Sequence, residues 1–316
     1  MSIYVVGVDG GTTKTVALVA DDTGRILGAG RGGNSNWVGT DVEQPMKKTT
    51  FGGPKRTVPV LVFETPDALG QVLAKDILQA IATAKEAGRT FLLGCPGGRS
   101  LQTTYQALGE QARLASADLS HLVIVMMDEY VFAQGDVFVY GPGDAHYSCR
   151  RFAREEIWAV LNAGLSKACR IPAQNLWFPD PADPSNYDTR LEAAGGIDLF
   201  LLASGASDGH VAFNPPGSTV DSQTRIIPLA DSTRRDNMAT FPNFQSLNEV
   251  PKYGVSVGLG TICSLSQRAV LVIHGAYKQG AVRRLAGCVD FTPDWPASLI
   301  YRCQGGQIWL DQPAAA

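Results

Sequence analysis

The sequence has no C-x-x-C pair, no apolar run long enough to span a bilayer and no large excess of either charge. Each absence removes a class of function. The six cysteines, Cys95, Cys149, Cys169, Cys263, Cys288 and Cys303, are scattered, which argues against a zinc site or a disulfide framework and for reduced thiols in a cytoplasmic protein. Cys95 borders a glycine loop and is expected to act as a small buried hydrophobe rather than a nucleophile. With 27 Lys and Arg against 30 Asp and Glu, the formal charge of −3 gives no reason to expect nucleic acid or an anionic membrane as partner. The apolar start at residues 3–8 is short and has no basic region before it, so it does not read as a secretory signal. What is present is a chain of 316 residues, 45% hydrophobic and 18% charged. That describes a globular protein of one large or two ordinary domains, able to bury a core.

The chain reads in three parts. Residues 1–46 contain apolar stretches at 3–8, 15–20 and 25–30 separated by turns rich in Gly, Asp and Thr, which predict a short β segment. Residues 47–55 are polar, contain Gly and Pro and lack periodicity, and are expected to be a linker. Residues 56–316 alternate strand-like and helix-like stretches. Thr65-Pro66-Asp67 is a helix start, with Leu69, Val72, Leu73, Ile77 and Ile81 on one face after it. Further strands are expected at 58–63, 90–93, 121–127, 197–202, 255–257, 269–274, 297–301 and 307–310, and helices after 100, at 155–167 and at 278–285. Alternation of this length predicts an α/β fold with a doubly wound, mostly parallel Rossmann-like sheet.

Three strands run into notable loops. Residues 94–100 read G-C-P-G-G-R-S, residues 128–130 read D-E-Y, and residues 207–210 read S-D-G-H. Open α/β sheets bind ligands beyond the carboxyl ends of their strands, so these loops are expected to face one crevice. Gly97, Gly98, Arg99 and Ser100 lead into a helix N-terminus, where free N–H groups and the helix dipole favour an anion such as a sugar phosphate. The same glycines also suit a tight strand–helix turn. Lys278 adds a second candidate cation, or is a solvated helix-start lysine. Asp208 and His210, two apart, make a candidate acid–base pair, although a surface histidine fits the pair alone equally well.

The stretch G-V-D-G-G-T-T-K-T with G-R-G-G-N-S-N at 30–36 resembles the first phosphate loop of the sugar-kinase/actin-like ATPase superfamily, in its N-acetylglucosamine kinase branch. The resemblance stops near residue 40, and no second phosphate loop follows. The segment is therefore expected to be vestigial or appended, without kinase activity. Residues 56–313 resemble the glucosamine-6-phosphate deaminase/isomerase family, which includes 6-phosphogluconolactonases. The matching stretches are collinear: G-C-P-G-G-R-S-L-Q-T-T-Y, M-M-D-E-Y, G-G-I-D-L-F-L-L, D-G-H-V-A-F-N, D-S-T-R-R-D-N and V-P-K-Y-G-V-S-V-G-L-G-T-I. D-E-Y and G-H-V-A-F-N-x-P-G-S resemble the deaminase branch, where the lactonases read D-E-R.

The resemblance implies roles. Asp128 matches the base that moves a proton between C2 and C1 of the open sugar. His210 matches the ring-opening histidine, with Asp208 orienting it. Gly97 to Ser100 match the phosphate cradle and Lys278 a phosphate-binding lysine. The implied reaction converts glucosamine-6-phosphate, or a close analogue, to fructose-6-phosphate and ammonia with no metal or cofactor. The alternatives are a 6-phosphogluconolactonase-type hydrolase and a non-catalytic sugar-phosphate-binding regulator. A homo-oligomer is possible. The sequence departs from the deaminase pattern at Pro215, where a relay glutamate is expected. It also lacks a clear phosphate-binding arginine, for which Arg234 or Arg235 is a substitute. His146 stands in a loop as a replacement acid–base group or a surface histidine.

Overall fold

The computed structural model of the chain describes residues 44–54 and 56–316, together with the backbone of 3–11, 14–21 and 26–32. The chain divides into two compact units, Met1–Asp41 and Val42–Ala316. In the first, β1 (Ile3–Gly11), β2 (Lys14–Asp21) and β3 (Ile26–Gly32) pair antiparallel in that order. Residues 12–13 of the kinase-like turn, the turn at 22–25 and most of the Gly-Asn motif, from 33 onward, lie outside the described residues.

The second unit holds β4 (Lys47–Gly53), β5 (Arg56–Phe63), β6 (Phe91–Cys95), β7 (Leu122–Met126), β8 (Asp128–Gln134), β9 (Val137–Tyr140), β10 (Leu176–Trp177), β11 (Leu199–Ala203), β12 (Arg225–Pro228), β13 (Tyr253–Ser256), β14 (Ala269–Ile273) and β15 (Gln307–Asp311). Eight of them form one sheet in the order β10-β7-β6-β11-β14-β15-β5-β4. All its pairs are parallel except β4 with β5. The other four form an antiparallel sheet, β12-β13-β8-β9.

Continuous apolar strands are what a parallel sheet covered on both faces requires. Leu93, Cys95, Ile124, Met126, Leu199, Leu201, Val270 and Val272 face one core, packed under α1 (Pro66–Glu86) and α2 (Gln102–Leu114). Their neighbours Leu92, Val123, Val125, Phe200, Leu202, Leu271 and Ile273 face the other, with Leu191, Ile262, Leu285 and Leu299. Helix α1 begins as its sequence predicts: the Thr65 hydroxyl accepts from the Ala68 N–H at 3.1 Å and Pro66 opens the first turn. Leu69, Leu73, Ile77 and Ile81 are buried along one stripe, each contributing roughly 1.5–3 kcal/mol.

The expected linker at 47–55 is corrected by the structure, because Lys47–Gly53 is strand β4. An edge strand packs on one face only. Thr49, Phe51 and Gly53 are half-buried and alternate with exposed residues, a period that the lysines and glycines obscure. The expected strand at 297–301 is a 3-10 helix, Pro296–Tyr301. All six of its residues are buried, so apolar content alone could not separate the two forms. The helix expected at 155–167 starts earlier, at Cys149, and ends at Asn162 after a π-helical stretch, Ala153–Trp158.

Two outcomes follow from this packing. A Cβ at Gly94 would lie 2.3 Å from the Phe200 ring. Gly94→Ala is expected to destabilise by about 1–3 kcal/mol, read as a lowered denaturant midpoint. A chain starting at Gln44 is expected to keep one cooperative unfolding transition. Starting after Gly53 strips the edge from β5 and is expected to lower that transition, as followed by calorimetry.

Candidate active site

Four neighbouring strands, β7, β6, β11 and β14, end at the same edge of the sheet, and each delivers polar groups to one cavity of about 210 Å³. Asp128 follows β7, Gly97 to Ser100 follow β6, Ser204 to Ala206 and His210 follow β11, and Lys278 follows β14. The three sequence-predicted loops and the lysine are thus brought together, and Asp208 stands directly behind His210.

The loop after β6 turns at Gly98, whose φ of +89° is in the region that favours glycine. Arg99–Leu101 is a short 3-10 turn that leads into α2. Lys278 is not a solvated lysine. It is 7% exposed, and its Nζ donates to the Ser204 carbonyl at 2.7 Å and to Ser100 Oγ at 3.5 Å. Burial lowers its pKa to about 8; Asp236 works against that shift and Arg99 adds to it. Arg99, Ser100 and Lys278 therefore make the cationic end of the cavity.

Asp128 lies where the chain leaves β7 and enters β8, passing from the parallel to the antiparallel sheet. The Met127 carbonyl accepts from the Val257 N–H at 2.8 Å across that junction. The carboxyl is pushed up to about 7. Burial is the main cause, a Cys149 thiol bond at 3.4 Å opposes it, the Glu129 charge raises the value further and His210 lowers it. Glu129 is structural. Its oxygens accept from the backbone of Tyr130, Cys149 and Arg150 and from Ser148 Oγ, at 2.8–3.0 Å. It anchors the start of the helix Cys149–Phe152.

Asp208 Oδ1 accepts from His210 Nδ1 at 2.7 Å and from its backbone N–H at 3.1 Å. With the Nδ1 proton committed to Asp208, Nε2 carries the lone pair. Asp208 Oδ2 accepts from Ser232 Oγ at 2.6 Å and Thr233 Oγ1 at 3.1 Å. Burial alone would raise the Asp208 pKa. The bonds from His210 and Ser232, with the His210 charge, outweigh it and hold the carboxyl well below the usual range. Gly205 is obligatory here, since a Cβ would meet His210 Nδ1 at 2.2 Å. Asn214, fully buried, ties the loop down by donating to the Val211 and Val257 carbonyls. Ala212 beside it has a φ of +52°, a strained value for a residue with a Cβ.

Pro215 is half-buried and does not line the cavity. The acid–histidine pair is completed instead by the hydroxyls of Ser232 and Thr233. Arg234 does not substitute as a phosphate ligand. It donates to Asp231 and to the carbonyls of Leu247 and Val250, holding the helix Asp231–Thr240 to the following turn. Arg235 is exposed and also absent from the lining. His146 lies against Tyr147, Phe241 and Phe244, and burial with the Arg151 charge lowers its pKa. It faces an adjoining groove rather than the cavity. Sequence reasoning missed Cys149, Asp236, Asn237, Thr240, Phe241 and Tyr277. Asp236 and Asn237 lie in the D-S-T-R-R-D-N stretch, and Thr240 and Phe241 follow about one helical turn later, a spacing that was the available signal. Donor atoms of Asp208, His210 and Asp236 come within 4.8 Å of one another. Asp208 and His210 bond to each other, and Asp236 accepts from Ser207 Oγ at 2.9 Å. The six cysteines form no disulfide, and Cys95 is fully buried. Among the described residues no helix is long and apolar enough to cross a membrane.

The chain is similar to several proteins of known structure. A monomeric glucosamine-6-phosphate deaminase of the NagB superfamily has 25% identity and a TM-score of 0.67, covering 81% of this chain and 98% of its own. The 6-phosphogluconolactonase from Thermotoga maritima has 20% identity and a TM-score of 0.55, covering 80% and 98%. The 6-phosphogluconolactonase from Leishmania guyanensis has 17% identity and a TM-score of 0.59, covering 81% and 96%. The two lactonases show a shared fold alone. The description "Glucosamine-6-phosphate isomerases/6-phosphogluconolactonase" matches residues 64–309, and the chain belongs to that family.

Proposed function

We propose that the protein is an amino-sugar-phosphate deaminase/isomerase that converts glucosamine-6-phosphate, or a close analogue, to a ketose phosphate and ammonia. The observation that carries this reading is the buried Asp128 carboxyl, poised at about 7 in the same cavity as the His210–Asp208 pair. A group half protonated near neutrality both takes and returns a proton, as transfer between adjacent carbons requires. Arg99, Ser100 and Lys278 hold the phosphate. His210 Nε2 takes the C1 hydroxyl proton and delivers it to the ring oxygen as the ring opens, and Asp208 stabilises the transient imidazolium. Asp128 then carries the C2 proton to C1 while the C2 ammonium passes one of its protons to O1, which leaves an iminium at C2. Water hydrolyses the iminium to the ketose and ammonia.

The second reading is hydrolysis of a phosphogluconolactone. Pro215 favours it, since the acid–histidine pair without a further relay acid suffices to activate water. Asp128 has no proton-shuttling task in that reaction. The assay that separates the two supplies glucosamine-6-phosphate and quantifies ammonia and fructose-6-phosphate, beside lactone hydrolysis. Equal ammonia and ketose support the first reading; lactone hydrolysis alone overturns it. Silence in both, with a thermal shift on sugar-phosphate addition, leaves a binding regulator.

Asp128→Asn is expected to lower turnover by roughly 10³-fold while the thermal shift with fructose-6-phosphate persists. Near-normal turnover would remove the proton-shuttle role. The pH profile of kcat/KM is expected to be a narrow bell. Its acid limb lies near 7, where Asp128 gains its proton, and its alkaline limb near 8, where Lys278 loses its charge. The alkaline limb is expected to be reproduced in the pH dependence of fructose-6-phosphate binding.

A further inference from the structure

Cys149 touches the group on which the proposed chemistry turns. It opens the helix Cys149–Phe152, and its thiol donates to Asp128 Oδ1 at 3.4 Å. The residue is 6% exposed and lines the cavity. Its place is fixed from three sides. Glu129, the residue after Asp128, accepts from the Cys149 N–H at 3.0 Å and from the Arg150 N–H at 2.8 Å. Ser148 caps the same turn, with its hydroxyl accepting from the Arg151 N–H at 3.2 Å. On the far side, a Cβ at Gly97 would lie 3.5 Å from Cys149 Sγ, so the thiol fills the gap between Asp128 and the phosphate loop.

We propose that Cys149 is a positioning residue for Asp128, whose weak thiol donor holds the carboxylate in place without fixing it in one protonation state. The inference rests on the reading of Asp128 as the proton carrier. A thiol is a poor donor and adds little polarity. An alcohol at the same place would donate a strong, charge-assisted bond and hold the carboxylate ionised. With no thiol donor, only the His210 charge would oppose burial, and the carboxyl would hold its proton more tightly. Cysteine lies between those limits. The thiol itself stays protonated, because burial and the charges of Asp128 and Glu129 push its pKa well above the usual value. The titratable groups facing Asp128 are Glu129 and Tyr130 on its own strand, Cys149 on the helix start and His210 from the loop after β11. Arg99, Lys278 and Asp236 line the rest of the cavity.

The test compares Cys149→Ala and Cys149→Ser in the full chain, after confirming that each melts cooperatively. Removal of the donor is expected to move the acid limb of kcat/KM up by about half a pH unit. That lowers the rate about threefold at pH 6 and leaves it nearly unchanged above pH 8. The serine variant is expected to move the limb down. Opposite signs are the signature, since a purely structural loss would scale the whole profile. Infrared titration of the Asp128 carboxyl band, assigned by its loss in Asp128→Asn, follows the same shifts without substrate. A chain that releases no ammonia would sink the deaminase reading and leave this titration intact as a test. Shifts of the same sign, or none, in the band of both variants would overturn the role of Cys149. If the alanine variant does not fold, the direction of the serine shift decides alone.

Discussion

The constraint on which the site depends is that one strand serves two sheets. β7 ends at Met126 and β8 begins at Asp128, so a single residue separates the parallel from the antiparallel layer. A side chain at that junction is covered by both layers and is largely withdrawn from water. A carboxyl placed there pays desolvation in full, which is why its proton affinity rises toward neutrality. The neighbouring Glu129 lies at the same junction and is buried as well. Four hydrogen bonds, three of them from backbone N–H groups, replace its water, and it serves as an anchor. Two adjacent acids thus differ in role through their donors, not through their chemistry.

The fold was legible because a parallel sheet buried on both faces demands continuous apolar runs, and residues 122–126, 199–202 and 269–273 are such runs. What escaped reading was structure whose signal is weak or shared. β4 is an edge strand with one packed face and a lysine-rich start. Pro296–Tyr301 is apolar throughout and therefore reads the same as strand or helix. In the site, the glycine loop, Asp128, His210 and Lys278 were visible because their types are chemically rare at strand ends. Ser232 and Thr233 were not. A hydroxyl that completes a relay looks in sequence like any helix-start serine or threonine, and only its distance to Asp208 distinguishes it.

That pair of hydroxyls also gives physical sense to Pro215. A second acid beside Asp208 would be a like charge in a buried place. Ser232 and Thr233 orient Asp208 Oδ2 with neutral donors, at 2.6 and 3.1 Å. The dyad keeps its geometry and its tautomer without the repulsion. What neutral donors do not supply is a second proton store, so in the proposed reaction ring opening would depend on His210 alone exchanging its proton with the cavity. A substrate with a larger open-chain fraction is served as well by this dyad as by a longer relay.

The groups are arranged across the sheet rather than along a strand. Lys278 Nζ reaches from β14 to the Ser204 carbonyl at the end of β11 and toward Ser100 beyond β6. The cationic pole therefore hangs over β11 itself. Asp128 stands at the junction of β7 and β8, and β7 is two strands to the side of β11, about 10 Å away at the usual interstrand spacing. The loop after β11 bridges the interval, since its ten-residue course from Ser204 to Phe213 carries His210 back over the cavity between the poles. A small molecule with an anion at one end and its reacting carbons at the other spans that interval. Strand order thus sets the distance between the two ends of the cavity: exchanging β6 with β7 would move Ser100 one strand further from Lys278.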